Sequence, residues 1–169
     1  MAPVRVGILT ISDRSARRQR ADVSGPALAE VILTQGWFVQ KLEIVPDEYE
    51  VIKKTLIAWA DEGGMDVILT TGGTGFSARD VTPEATQAVI ERQTPGLAEA
   101  MRQASLTVTP HAMLSRATAG IRRRTLIVNL PGSPKGALEN LQVILAVLPH
   151  AVQLLAEDPQ AETGHHLLG

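Results

Sequence analysis

An α/β domain built on a mainly parallel sheet is the fold class this sequence predicts, and three observations carry it. Short runs of apolar, β-branched residues alternate with longer stretches whose apolar residues recur at helical spacing, the pattern of βαβ units with right-handed crossovers. Turns bearing glycine, aspartate or serine follow four of those runs. The chain also suits one continuous core, with 169 residues, 44% of them hydrophobic and 20% charged. Residues 1–156 read as that single domain and 157–169 as a polar C-terminal tail.

Val4 to Ser12, almost wholly apolar or β-branched, predicts a first buried strand. Asp13-Arg14-Ser15 follows, and Ala16 to Val23 carries Arg17, Arg18 and Arg20, whose polarity predicts a surface loop. Ser24 is placed to cap a helix with Pro26 in its first turn, Leu28, Val31 and Ile32 on its apolar face and Gly36 at its end. Trp37 to Val45 predicts the second strand, which Pro46-Asp47-Glu48 ends abruptly. A helix bearing Val51, Ile52, Leu56 and Trp59 comes next and stops at Gly63-Gly64.

The third strand, Val67 to Thr71, leads into Gly72-Gly73-Thr74-Gly75. Thr82, Pro83 and Glu84 suit the N-cap, first position and first turn of a helix from Pro83 to Arg92. Thr94-Pro95-Gly96 breaks that helix, and a further helical stretch carries Leu97, Met101 and Leu106, with Met101 a core filler. Met113 to Gly120, through Arg122 to Arg124 and on to Leu126 to Leu130, reads as a short strand turning into a long one. Pro131 to Gly136 is a second turn-rich loop. The last helix, Ala137 to Leu155, has Leu138, Leu141, Ile144, Leu145 and Leu148 on an apolar face. His150 reads as a packed or solvated side chain, and His165-His166 in the tail as incidental.

In a parallel sheet, ligands bind beyond the carboxyl ends of the strands. That geometry gathers Ser12-Asp13, Pro46-Asp47, Gly72 to Asp80 and Pro131-Gly132-Ser133 on one rim. Three glycines in four positions let the backbone turn its N–H groups toward an anion, though a plain tight turn between strand and helix is the bland alternative. The loop is neither a P-loop, which needs a lysine after its last glycine, nor a dinucleotide fingerprint. Asp47 and Asp80 beside such a loop point to magnesium, an ion usually held by one or two carboxylates plus substrate phosphates. Asp47 could equally cap the helix that follows it, whereas Thr82 already offers a cap downstream of Asp80. Ser115 and Ser133 have side chains suited to a phosphate or a ring edge, or to a simple turn.

Composition removes several classes. A net charge of −2 argues against general nucleic-acid or membrane-surface binding. Without cysteine there is no disulfide framework, thiolate metal site or thiol nucleophile. The N-terminus carries no charged-then-apolar leader and no apolar run reaches spanning length, so a cytoplasmic location is expected.

The stretch T-T-G-G-T-G-F-S-A-R-D-V-T-P-E-A-T, with P-D-E ahead of it and A-M-L-S-R and N-L-P-G-S-P-K after it, resembles the molybdopterin adenylyltransferase family. Bacterial Mog proteins and the G domains of plant Cnx and of gephyrin belong there. The resemblance runs from I-S-D-R at Ile11 to H-A-V-Q-L-L at His150. It implies a three-layer αβα fold, with helices on both faces of the sheet and a small antiparallel addition. It also implies a reaction: the terminal phosphate of molybdopterin attacks the α-phosphate of ATP with magnesium present, giving adenylyl-molybdopterin and pyrophosphate. A homotrimer with one site per subunit is implied too, as is a molybdenum insertase as product acceptor.

Carried onto this sequence, Asp47 and Asp80 match the catalytic, metal-binding acidic pair. Gly72, Gly73, Thr74 and Gly75 match the glycine loop, with Thr71 before them a further substrate-binding candidate, Ser115 a pterin-side contact, and Pro131, Gly132 and Ser133 a second substrate loop. Ser12 and Asp13 join the substrate rim, with Arg116 and Lys135 as candidate phosphate holders. Many relatives have Asn or Gln where this chain has Ser133, which leaves that side chain's role open. Three rivals are a binding-only scaffold trimer, a molybdenum insertase and a generic ATP hydrolase. Retention of Asp47 and Asp80 argues against the first, the chain's length against the second and the missing P-loop lysine against the third.

Overall fold

Alternation along the strands builds the molecule. The computed structural model describes residues 2–157. It contains strands β1 (Arg5–Ile11), β2 (Phe38–Val45), β3 (Val67–Thr71), β4 (Arg92–Gln93), β5 (Ala119–Arg122) and β6 (Thr125–Leu130). They form one sheet in the order β2-β1-β3-β6-β5-β4. The four on the β2 side run parallel, and β5 and β4 add an antiparallel edge. Helices α1 (Asp13–Ala16), α2 (Ser24–Thr34), α3 (Tyr49–Asp61), α4 (Thr82–Val89), α5 (Pro95–Leu106), α6 (Pro134–Leu145) and α7 (Leu148–Leu155) surround it, with a 3-10 turn at Pro110–Leu114.

Side chains of successive strand residues point to opposite faces, so one run of buried residues feeds two cores. Ile8, Leu69, Val128 and Leu130 pack under α2, α5, α6 and α7, with Leu28, Ile32, Met101, Leu141 and Ile144. Leu9, Ile68 and Ile127 face the other way, against Ile52, Leu56 and Trp59 of α3 and Ala85 and Val89 of α4. Truncating any of the fully buried leucines or isoleucines among them to alanine costs about 2–5 kcal/mol, because the lost transfer energy is joined by a cavity. The expected three-layer arrangement is therefore present, with helices on both faces of the sheet.

Three local expectations are corrected. The last helix is two, α6 and α7, bent by 62°. Pro149 lies in the first turn of α7, and proline both lacks an N–H and disfavours helical geometry in the residue before it. The helix predicted to reach Arg92 stops at Val89, because Ile90 is extended and Arg92–Gln93 pair with β5 instead. The strand expected from Met113 onward begins at Ala119; a 3-10 turn and an irregular segment precede it, and Arg123 at φ 53 turns the chain into β6. No single described helix is long and apolar enough to cross a membrane. The tail beyond Glu157, with His165 and His166, lies outside the described residues.

From β1 the chain crosses outward to β2, then returns past β1 to β3 and on toward β6. The order reverses between β1 and β3, and their carboxyl ends flank the crevice where such sheets bind ligands.

Candidate active site

The glycine loop is held by its neighbours on three sides. Gly72 donates its N–H to the Leu130 carbonyl at 3.2 Å, and the Thr71 hydroxyl donates to the Pro131 carbonyl at 2.7 Å, tying the loop after β3 to the loop after β6. Gly72 takes φ +107, and a Cβ there would lie 2.2 Å from the Ile11 carbonyl oxygen. Gly73 takes φ +67, and its Cβ would meet the Thr82 hydroxyl at 2.2 Å. Only glycine fits either place. Thr82 does not cap α4 as the sequence suggests. Its hydroxyl donates to the Gly72 carbonyl at 2.9 Å and its N–H to the Gly73 carbonyl at 3.1 Å, so it clamps the loop from below.

Beneath that loop sits a buried amide. Asn129 Nδ2 donates to Thr70 Oγ1 at 3.0 Å and to Thr86 Oγ1 at 2.9 Å, while its Oδ1 accepts from the Thr118 N–H at 3.2 Å. The network joins β3, β6 and α4 directly under the rim.

Acidic groups from three strand ends converge above. A cleft of about 360 Å³ is lined by Ser12, Arg20, Asp22, Asp47, Gly72, Gly73, Asp80 and Ser133 among others. Asp47 is not a helix cap: Glu48 precedes α3 and no side chain caps it. Asp47 Oδ2 instead accepts from the Asp13 N–H at 2.8 Å, and the Asp47 N–H donates to Asp13 Oδ1 at 3.1 Å. Burial pushes the Asp47 carboxyl above its ordinary range; the Asp13 N–H opposes the rise and the nearby charges of Asp13 and Asp80 add to it. Asp13 shifts the opposite way, because Arg79 donates to both its oxygens, Nε to Oδ2 at 2.9 Å and Nη2 to Oδ1 at 2.8 Å. Asp80 Oδ2 accepts from the Ser77 N–H at 2.9 Å.

A second cleft, of about 300 Å³, adjoins the first across Ser133 and the glycine loop. Thr74, Gly75, Val108, Ala112, Leu114, Ser115 and Pro131 give it a largely apolar lining. Here the expected residues separate by task. Ser133 lines both clefts but its hydroxyl caps α6, accepting from the Gly136 N–H at 3.1 Å, and Ser12 caps α1. Ser115 faces the apolar cleft, its oxygen accepting from the Ala117 N–H at 3.3 Å.

Arg116 lines neither cleft: its guanidinium donates to the carbonyls of Gly75 at 2.8 Å and Asp80 at 2.6 Å and to the Glu84 carboxylate, so it braces the loop. Lys135 stands exposed outside both clefts, 3.9 Å from Glu139. Arg20 and the Arg79 contact escape a reading by local pattern. Asp22 takes the capping work expected of Ser24, accepting from the Gly25 N–H at 3.0 Å and from the Thr10 hydroxyl at 2.8 Å. The D-x-x-G spacing is its available signal. Ser24 itself donates to the Gly132 carbonyl at 2.8 Å, joining the start of α2 to the loop after β6.

Comparison with known proteins converges on one family. A family model described as a probable molybdopterin binding domain matches residues 7–150. The chain is 43% identical over 159 residues to a molybdopterin adenylyltransferase of Helicobacter pylori, covering 92% of this chain and 89% of that protein. To the molybdopterin adenylyltransferase of Escherichia coli K12 it is 42% identical over 177 residues, with 96% and 90% covered. A crystal structure of the molybdopterin biosynthesis enzyme MoaB from Thermus thermophilus superposes with a TM-score of 0.86 at 54% identity, covering 92% of this chain and 98% of that one. By sequence and by architecture alike, the chain belongs to the molybdopterin-binding domain family of molybdenum cofactor biosynthesis.

Proposed function

We propose that this protein adenylylates molybdopterin. The terminal phosphate of molybdopterin attacks the α-phosphorus of ATP, the bond to the β-phosphate breaks, and adenylyl-molybdopterin and pyrophosphate are formed. One observation carries the reading: carboxylates from two different strand ends, Asp47 and Asp80, share a polar cleft that opens beside an apolar one.

The nucleophile is already an anion, so no side chain need remove a proton; the protein's work is positioning and charge. With the Gly72 N–H taken by the Leu130 carbonyl, the N–H groups of Gly73, Thr74 and Gly75 are the loop's donors for phosphate, and Arg20 places a cation in the cleft for the departing pyrophosphate. Val108, Ala112, Leu114 and Pro131 flank a flat ring in the neighbouring cleft, with Ser115 at its edge.

The donor set fits magnesium. Among the described residues, hydrogen bonds reach only Oδ2 of Asp47 and Oδ2 of Asp80, which leaves an oxygen of each for an ion. A Cβ at Gly73 would lie 3.1 Å from Asp47 Oδ1, and one at Gly75 would lie 2.9 Å from Asp80 Oδ2, so the loop keeps space open beside both carboxylates. Two carboxylates suit an ion whose shell is completed by substrate phosphates. Magnesium, when bound, offsets the repulsion between two polyanionic substrates and the charge on the leaving group.

The same reading takes the protein to be a cytoplasmic homotrimer with one site per subunit that hands its product to a molybdenum insertase; sedimentation velocity checks the trimer. The central experiment mixes protein, molybdopterin, ATP and Mg²⁺. Pyrophosphate and an adenylylated pterin are expected, each dependent on the pterin. ATP left intact in the complete mixture overturns the proposal, and AMP released with molybdate present points to an insertase.

A further inference from the structure

We propose that Arg79 and Asp13 are positioning residues, a latch that sets the separation of the Asp47 and Asp80 carboxylates. The inference rests on the reading of those two carboxylates as the metal-holding pair. Arg79 grips both oxygens of Asp13, at 2.9 and 2.8 Å. Asp13 in turn is joined to Asp47 in both directions, N–H to Oδ2 at 2.8 Å and Oδ1 from N–H at 3.1 Å. At the other end Arg79 immediately precedes Asp80, within a turn closed by Asp80 N–H to the Ser77 carbonyl and Ser77 N–H to Asp80 Oδ2, each at 2.9 Å. Loops from the ends of β1, β2 and β3, as much as 66 residues apart in sequence, thereby become one chain of contacts from one carboxylate to the other.

Stability alone is a poor reason for such an arrangement. The Arg79 side chain is 56% exposed, and an ion pair of that exposure contributes little to folding. The negative charges of Asp13 and Asp80 both bear on the Asp47 carboxylate, so the loops meet at Asp47 against like-charge repulsion. A forked, planar guanidinium opposes that repulsion with a defined geometry, which a lysine ammonium cannot reproduce. Asp13 has both oxygens engaged by protein donors, so it acts through Asp47 rather than on substrate.

The test uses the full chain and the variants Arg79→Gln, Arg79→Lys, Asp13→Asn and the Arg79→Gln/Asp13→Asn double. Calorimetry measures the affinity for a non-hydrolysable ATP analogue with Mn²⁺ and again in EDTA. Wild type is expected to bind more tightly with the metal. Arg79→Gln should lose about 10- to 100-fold of that gain, the usual cost of removing a partner behind a metal ligand. Its affinity in EDTA and its melting temperature should stay close to wild type. Arg79→Lys should recover only part of the gain, and the double variant should be no worse than Arg79→Gln, because the two residues act as a unit. An undiminished metal-dependent gain in Arg79→Gln, additive losses in the double variant, or no such gain in wild type would each overturn the latch. A wild type that shows the gain, with the variants losing it, while no adenylylated pterin forms would support the latch and count against the proposed activity alone.

Discussion

The two ends of the parallel sheet differ in how completely they pair their charges. At the amino ends, Asp66 and Asp61 each meet an arginine fork. Arg5 holds Asp66 at 2.7 and 3.1 Å, and Arg122 holds Asp61 at 2.8 and 2.9 Å. The Arg122 guanidinium keeps the Asp61 carboxyl below its ordinary range. At the carboxyl ends Arg79 forks onto Asp13 in the same way, but Asp47 beside it is pushed above its range by burial, with the charges of Asp13 and Asp80 adding to the effect. A fold selected only for stability would resolve both ends alike. The pole left in tension is the one with the clefts, as expected where geometry serves chemistry.

The contrast can be broken most forcefully at Asp80. Asp80→Ala should lower the rate of pyrophosphate release by about 10²- to 10⁴-fold, several kcal/mol of transition-state stabilisation, with the fold intact by circular dichroism. Turnover at the wild-type rate would remove Asp80 from the chemistry.

Next come the glycines of the two ends. Gly72→Ala forces a Cβ to within 2.2 Å of a backbone oxygen at φ +107, and should cost about 1–3 kcal/mol in urea unfolding together with most of the activity. Gly64, near the amino pole, has nothing within 4 Å of its would-be Cβ, and Gly64→Ala should stay within about 0.5 kcal/mol of wild type.

A smaller effect of opposite sign is expected at Asp47. Asp47→Asn keeps the acceptor for the Asp13 N–H while removing a charge that burial disfavours, so its melting temperature at neutral pH should rise slightly as activity falls. A lower melting temperature would show that the carboxylate there is not under tension.

The smallest effect sharpens the amino pole. Because Asp61 has a lowered folded-state pKa, its pairing stabilises the protein above the ordinary aspartate value and is lost as pH falls through the folded one. Arg122→Ala should therefore melt earlier than wild type at neutral pH with activity retained. That deficit should shrink as the pH falls below about 4. A deficit independent of pH would mean Arg122 acts by packing alone.

Much of this is legible in the residues because it depends on local pattern. The unbroken apolar and β-branched run Val67 to Thr71 marks a buried strand, and the turn residues after each strand mark the rim, so the parallel sheet and the meeting of Asp47 and Asp80 in one cleft, with Asp13 joined to Asp47, follow directly. Pro149 is an equally local signal for a broken last helix. What cannot be read are side-chain partners set by the fold. Thr82 looks like a cap until Gly72, ten residues back, presents its carbonyl; Ser24 looks like one until Gly132 arrives 108 residues later. Arg116 looks like a phosphate ligand because nothing nearby in sequence shows the carbonyls it braces.

Asn129 adds a lesson about what a motif records. It stands at the head of N-L-P-G-S-P-K, yet its amide never reaches a cleft: it gives two protons to threonine hydroxyls and takes one from the Thr118 backbone. Aspartate could not donate in its place, and leucine would strand both hydroxyls in a dry interior. Anyone transplanting the two loops onto a foreign scaffold would have to bring Asn129, Thr70 and Thr86 along as a set, since the graft's aim depends on a foundation no substrate ever meets.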